Sequence, residues 1–217
     1  MADIFQEVDE EVRREQLKKL WQRYGNYIIA GCIVVVVAVG GWRGYEWWQG
    51  KKAAEAGAAF EQAVALAAAG KHEEAEAAFA KLATDGTAGY RVLARLREAA
   101  QIARNDPKAA AKAYDEIAAD PSVDQAMRDL AALRAGYLLV DTSSYGDLRA
   151  RLEPLTGANR PFRHSARELL ALSAWKEGDM GAARQWADAI LADPQSPPGT
   201  RSRAEGLSEL IAASGKG

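Results

Sequence analysis

Residues 183–194 read Ala-Arg-Gln-Trp-Ala-Asp-Ala-Ile-Leu-Ala-Asp-Pro, and residues 110–121 read Ala-Ala-Lys-Ala-Tyr-Asp-Glu-Ile-Ala-Ala-Asp-Pro. Both close on the same stop, Ala119-Asp120-Pro121 and Ala192-Asp193-Pro194, 73 residues apart. Within each, apolar residues recur at relative positions 0, 4 and 7: Ala110/Tyr114/Ile117 and Ala183/Ala187/Ile190. Two further sets carry the same spacing, Ala75/Phe79/Leu82 and Leu148/Leu152/Leu155, so that successive sets are offset by 35, 38 and 35 residues. Positions 0, 4 and 7 share one face of an α-helix, so each set marks the buried stripe of a helix.

Working outward, breakers divide the chain into helical stretches. The spacing predicts helices over 52–69, 72–83, 88–103, 109–119, 124–140, 145–155, 161–176, 180–192 and 200–213. Gly70, Asn105-Asp106-Pro107, Asp120-Pro121, the 141–144 turn, Gly178-Asp179 and Asp193-Pro194 separate them. Proline suits the first helical turn but cannot continue an existing one. The helices fall into pairs whose second member carries the 0/4/7 set. A helix-turn-helix unit near 34 residues has the tetratricopeptide period. Such a pair cannot bury its apolar face alone and stacks on its neighbours. The expected fold is therefore all-α: about four helix pairs and a capping helix across 49–214, ending in a frayed 215–217 tail. The third unit departs from the pattern, with leucine for alanine and Pro154 near its end.

Upstream lies a different kind of segment. Residues 24–42, from Tyr24 to Trp42, include Tyr27, Ile28, Ile33 and Val36 and hold no Asp, Glu, Lys, Arg or His. Nineteen residues of helix span roughly 28 Å, about one hydrocarbon core. A lone helix satisfies its own backbone in lipid, whereas a lone strand does not, despite the β propensity of Val34 to Val37. Trp21, Tyr24 and Tyr27 border one end and Trp42, Tyr45, Trp47 and Trp48 the other, as interfacial belts do. Five basic residues precede the segment (Arg13, Arg14, Lys18, Lys19, Arg23) and three follow it (Arg43, Lys51, Lys52), which places a short 1–23 head in the cytoplasm. In that head Val8, Val12, Leu17, Leu20 and Trp21 suit a short amphipathic helix. A cleaved signal peptide is the rival reading, with Ala38-Val39-Gly40 as a cleavage triplet; the long leader and the tryptophans beyond it favour an anchor that stays, over 24–48.

Composition narrows the function classes. Twenty-eight basic against 30 acidic residues leave a net charge of −2, without the basic excess of a nucleic-acid binder. Cys32 is the sole cysteine, so no internal disulfide forms and the repeats are held by packing. His72 and His164 stand far apart, Ser143-Ser144 lie in a turn without a base nearby, and no metal, phosphate-loop or nucleophile-elbow motif occurs. The expectation is a protein that is not an enzyme and carries no cofactor. Stacked pairs offer a long surface for peptide or protein. Candidate partner-binding residues are Tyr90, Arg91, Arg95, Tyr137, Trp175 and Trp186, with Phe60, Phe162 and Arg97 beside them. The competing role of the aromatics is core filling, and that of the arginines is a solvated helix face.

Two regions carry a likeness to a known family. Asp9-Glu10-Glu11, then Leu17-Lys18-Lys19-Leu20-Trp21, Tyr24-Gly25-Asn26, the apolar run, and Gly41-Trp42-Arg43 with Tyr45 and Trp47 resemble the entry of YfgM-like proteins. The turns Gly70-Lys71 and Gly178-Asp179-Met180-Gly181-Ala182-Ala183-Arg184 look like that family's repeat turns. The resemblance implies a Gram-negative inner-membrane protein with one span, a cytoplasmic N-terminus and a periplasmic repeat domain. It further implies an ancillary role at the Sec translocon, beside a membrane-anchored periplasmic chaperone or prolyl isomerase, and no catalytic residues. The alternative is a structural adaptor that organises envelope or cell-division complexes.

Overall fold

The computed structural model describes the backbone of residues 2–214 and the side chains of 14, 15 and 18–214. The side chains of Val8, Val12 and Leu17, and the 215–217 tail, lie outside the described residues. Among the described residues there are nine α-helices and no strand. They are α1 (Ala2–Ala68), α2 (His72–Asp85), α3 (Ala88–Ile102), α4 (Pro107–Ala118) and α5 (Gln125–Leu139), followed by α6 (Tyr145–Leu152), α7 (Arg163–Glu177), α8 (Met180–Leu191) and α9 (Pro198–Ala213). A 3-10 turn, Glu153–Leu155, follows α6.

The separate head, span and first repeat helix expected from sequence are one continuous helix, α1. The reason is the absence of any breaker stronger than glycine. The first proline of the chain is Pro107, so nothing in 2–68 removes a helical N–H. The glycines at 25, 31, 40, 41, 44, 50 and 57 each weaken the helix by about 1 kcal/mol at most relative to alanine.

The chain divides into two compact units, Met1–Ala54 and Glu55–Gly217. In the first, the candidate anchor residues Tyr24, Tyr27, Ile28, Ile33, Val36 and Trp42 are all exposed, Val36 by 70%. One stretch of α1 is long and apolar enough to cross a membrane, by length and composition. Polar pairs cluster at its far border. Trp42 Nε1 donates to Glu46 at 2.8 Å, and the Lys52 ammonium lies 3.9 Å from the Trp48 ring centroid. Such an amphipathic collar suits a polar–apolar boundary.

In the second unit all twelve residues of the four 0/4/7 sets are buried. The end of α1 starts the stack: Ala56 and Ala63 pack with Ala75, Phe79, Leu82 and Ala94, and Phe60 and Tyr90 close over them. The Phe60 and Phe79 rings meet edge-on, with centroids 5.5 Å apart. Next, Ala99, Ala111, Tyr114, Ile117, Ala131 and Ala135 join α3, α4 and α5. Leu133, Leu148, Leu152, Leu169 and Leu170 then join α5, α6 and α7. Ala171, Ala174, Ala183, Leu207 and Ile211 seat α9 as the last layer.

Turns are set by local chemistry. Gly70 and Gly178 adopt φ of +78° and +82°, the left-handed conformation that glycine enters without a Cβ penalty. Asp106, Asp124, Ser144 and Asp179 cap α4, α5, α6 and α8, each accepting from a backbone N–H of the first turn. The irregular third unit is visible as the eight-residue α6, which tightens into the 3-10 turn at Pro154 and still buries Leu155.

Two details depart from the paired picture. The closest packing of α4 is with α5, the first helix of the following unit, rather than with its own partner α3. Small residues explain it: α5 turns Ala131 and Ala135 toward α4, which lets backbones approach, while Ala132 and Gly136 do the same on the side facing α6 and α7. Of Met127, Leu130, Leu133 and Leu138, which the spacing predicts as the apolar face of α5, Leu133 is buried and the other three are half buried.

Candidate protein-binding surface

Helices α3, α5 and α7, the first members of their units, and the capping helix α9 each keep a narrow exposed or half-exposed stripe after packing. The stripes are Leu93/Arg97/Ala100, Leu130/Arg134/Tyr137, Glu168/Leu172/Trp175 and Arg203/Gly206/Leu210. Each spans seven residues, two turns of one helical face. They adjoin from helix to helix. A groove of about 340 Å³ is lined by Phe60 of α1, Leu93, Leu96 and Arg97 of α3, and Leu130 and Arg134 of α5. α7 packs on both α5 and α9, where Arg203 Nη2 donates to Glu168 Oε2 at 2.9 Å. That carboxylate raises the Arg203 pKa, with the Tyr137 phenol adding to it. Exposed Tyr137, Leu172, Trp175 and Leu210 give this face its apolar character.

The structure sorts the six candidate residues. Tyr137 and Trp175 lie on the stripes, 51% and 39% exposed. Tyr90 is half buried, its ring 5.8 Å from that of Phe60, so it serves the first core cluster. Trp186 packs into the third and fourth clusters and donates Nε1 to the Tyr145 hydroxyl at 2.9 Å. Phe162 also packs against the core. Arg91 is exposed, whereas Arg95 is bound to Asp120 Oδ2 at 2.7 Å. Arg134 escaped the sequence reading, and Leu93, Leu130 and Leu172 were expected only as apolar helix positions, not as surface. The signal for them was the second face of the first helices, which repeats the spacing of Arg97, Arg134 and Tyr137 as faithfully as the buried face does.

Away from the stripes, arginine–aspartate pairs tie helices together, within a unit at Asp120 and Asp193 and between units at Asp115 and Asp129. Arg95 meets Asp120, Arg151 meets Asp115, and Arg160 Nη1 lies 3.2 Å from Asp129 Oδ2. Asp193, at the last Asp-Pro stop, accepts from Arg163 Nε at 2.9 Å and Arg167 Nη1 at 3.3 Å. Arg201 Nη2 donates to its carbonyl at 2.9 Å. His164 beside it places Nδ1 3.0 Å from Ser196 Oγ, which itself donates to the Ile190 carbonyl. The serine hydroxyl is therefore committed to the backbone. Burial lowers the His164 pKa, and the Arg163 charge adds to that. Among the described residues no cluster of three or more His, Cys, Asp or Glu is placed to hold a metal ion.

These pairs carry a pH dependence. The Ser122 hydroxyl, and after it Arg95, hold the Asp120 carboxyl down at about 2. Arg163, and then the Gln195 N–H, hold Asp193 well below the usual carboxylate range. An unfolded aspartate titrates near about 3.9. Folded pKa values below the unfolded one give stability that is full above the unfolded pKa and is lost as pH falls through the folded values. Thermal melts at stepped pH will therefore decline gently from neutrality to about pH 5, as the unfolded His164 imidazole (about 6.5) takes up a proton that the buried one resists, and drop steeply from about pH 4 downward. Asp193→Asn will lower the neutral plateau and flatten that acid limb.

An all-helical stack of paired helices with a continuous exposed face defines a helical-repeat, protein-binding module. The sequence pattern of the tetratricopeptide repeat-like domain matches residues 18–195, and the chain belongs to that family. No curated protein and no solved structure matches the chain.

Proposed function

We propose that the chain is a membrane-anchored scaffold of the YfgM-like kind, which recruits periplasmic folding factors to proteins emerging from the Sec translocon. Its head (1–23) is cytoplasmic, its anchor and border occupy 24–48, and its repeats (49–214) face the periplasm of the bacterial inner-membrane system. The observation that carries this reading is one exposed apolar span, bordered by aromatic and basic residues, in the same chain as a repeat array with an exposed apolar face. Partners are translocon subunits and a membrane-anchored periplasmic chaperone or prolyl isomerase. Tyr137 and Trp175 make the contact, since rigid aromatics supply large area at low entropic cost.

A photo-crosslinker placed at Tyr137 or Trp175 in living cells tests it. Adducts to translocon subunits and to nascent exported chains are expected. Adducts confined to cell-wall or division proteins would overturn the reading and favour the envelope-adaptor role.

A further inference from the structure

The stripe is not uniform in charge. Arg203, near its end, is matched by Glu168. At its beginning, Arg97 and Arg134 are exposed and form no ion pair among the described residues. These two side chains flank the groove between α1, α3 and α5, and no carboxylate lines that groove. Its walls are Phe60, Leu93 and Leu130, with buried Tyr114 at the back. The Tyr114 hydroxyl is occupied, donating to the Leu96 carbonyl at 3.3 Å. Burial raises the Tyr114 pKa, and the Arg134 and Arg97 charges work against that rise.

We propose that this groove is a binding site for an acidic peptide segment in which glutamate or aspartate alternates with apolar residues. The assignment rests on the protein-binding reading above and gives its chemistry at one end of the surface. Guanidinium forks match carboxylates in plane and in charge, and two of them beside an apolar wall reward a ligand that brings both features. A free inorganic anion gains nothing from Phe60, Leu93 and Leu130. An uncharged apolar segment leaves the arginines unmatched. A basic segment is repelled. The acidic segment uses every part of the site.

The test is fluorescence anisotropy with the full chain in lipid nanodiscs and a labelled, end-blocked peptide alternating glutamate with leucine and phenylalanine. The glutamate peptide will bind. Its glutamine counterpart will bind at least about tenfold more weakly, and the lysine counterpart not at all. Binding will weaken as salt rises from about 0.05 to about 0.5 M, because the groove is open to solvent. Arg97→Ala with Arg134→Ala will abolish the preference for glutamate, with helix content by circular dichroism unchanged. Tyr137→Ala with Trp175→Ala will leave it intact. Equal binding of the glutamate and glutamine peptides, or a double arginine variant that keeps its preference, overturns the assignment. If the peptide fails while crosslinks at Tyr137 and Trp175 reach translocon and nascent chains, the groove assignment falls and the scaffold reading stands. If the peptide binds and those crosslinks are missing, the scaffold reading falls.

Discussion

Phe79→Ala will lower the unfolding free energy of the repeat unit by about 3–5 kcal/mol, the cost of emptying a fully buried aromatic site. The ring is wholly inaccessible and stands at the centre of the first cluster, where α1, α2 and α3 meet. Removing it leaves Phe60 without its edge-on partner and opens a cavity against Ala63, Ala75 and Ala94. Alanines cannot reach inward to refill the space, so relaxation is limited and the upper part of the range applies. Phe79→Leu keeps most of the volume and will recover more than half of the loss. Urea titration of the full chain in nanodiscs, followed by far-ultraviolet circular dichroism, measures both. A shift in the alanine variant below about 1 kcal/mol would mean that this cluster is not packed as described.

Arg160→Ala will cost about 3 kcal/mol by a different route. Asp129 is 2% exposed on α5, and both its oxygens lie within 3.3 Å of Arg160 Nη1. Gln125 Nε2 gives it one further bond at 2.7 Å. Without Arg160 the carboxylate stays buried with only the amide to stabilise it, and the desolvation penalty is no longer offset. The figure sits at the lower end for a broken buried pair because Arg160 is 31% exposed and water reaches part of the gap. The double variant Asp129→Leu with Arg160→Met will restore most of the stability, since a well-packed apolar pair replaces an ionic one at little net cost. The same urea titration distinguishes these outcomes. A double variant no better than Arg160→Ala would show that packing, not charge, explains the loss.

The repeat architecture was legible because three signals coincide: the 0/4/7 stripe, the spacing of the stripes and the Asp-Pro stops. Burial of Ala75, Phe79, Leu82 and their nine counterparts follows from helical geometry alone. The exposed face was harder to see. A first helix such as α5 packs on two sides, so its most buried positions are Ala131, Ala135 and Gly136, and its larger apolar residues end up half exposed. Hydrophobic periodicity weights size, so it picks out buried Leu133 but also Met127, Leu130 and Leu138, and it passes over the buried alanines. Residue type likewise did not separate Trp186, held in the core, from Trp175, left on the stripe. Nor did it separate Arg95, tied to Asp120 across 25 residues of sequence, from Arg97 two positions on. Pairings of that kind, Asp129 with Arg160 among them, need the fold before they can be seen. The continuity of α1 was missed for the opposite reason: the change from apolar to charged composition around 43–52 marks a change of environment, and nothing there breaks the helix.

The arginine–aspartate pairs have a consequence for how the layers sit on one another. A guanidinium facing a carboxylate accepts one geometry and loses energy when shifted by part of a helical turn. The joints fastened by Asp120, Asp115, Asp129 and Asp193 are therefore keyed to a single register. The first joint, between α2 and α3, is held by Phe79 and its alanine neighbours and by a His72–Gln101 hydrogen bond of 3.1 Å. Its alignment rests on shape and a single hydrogen bond, with no ion pair between the two helices among the described residues, which makes it the layer that slides most cheaply under load.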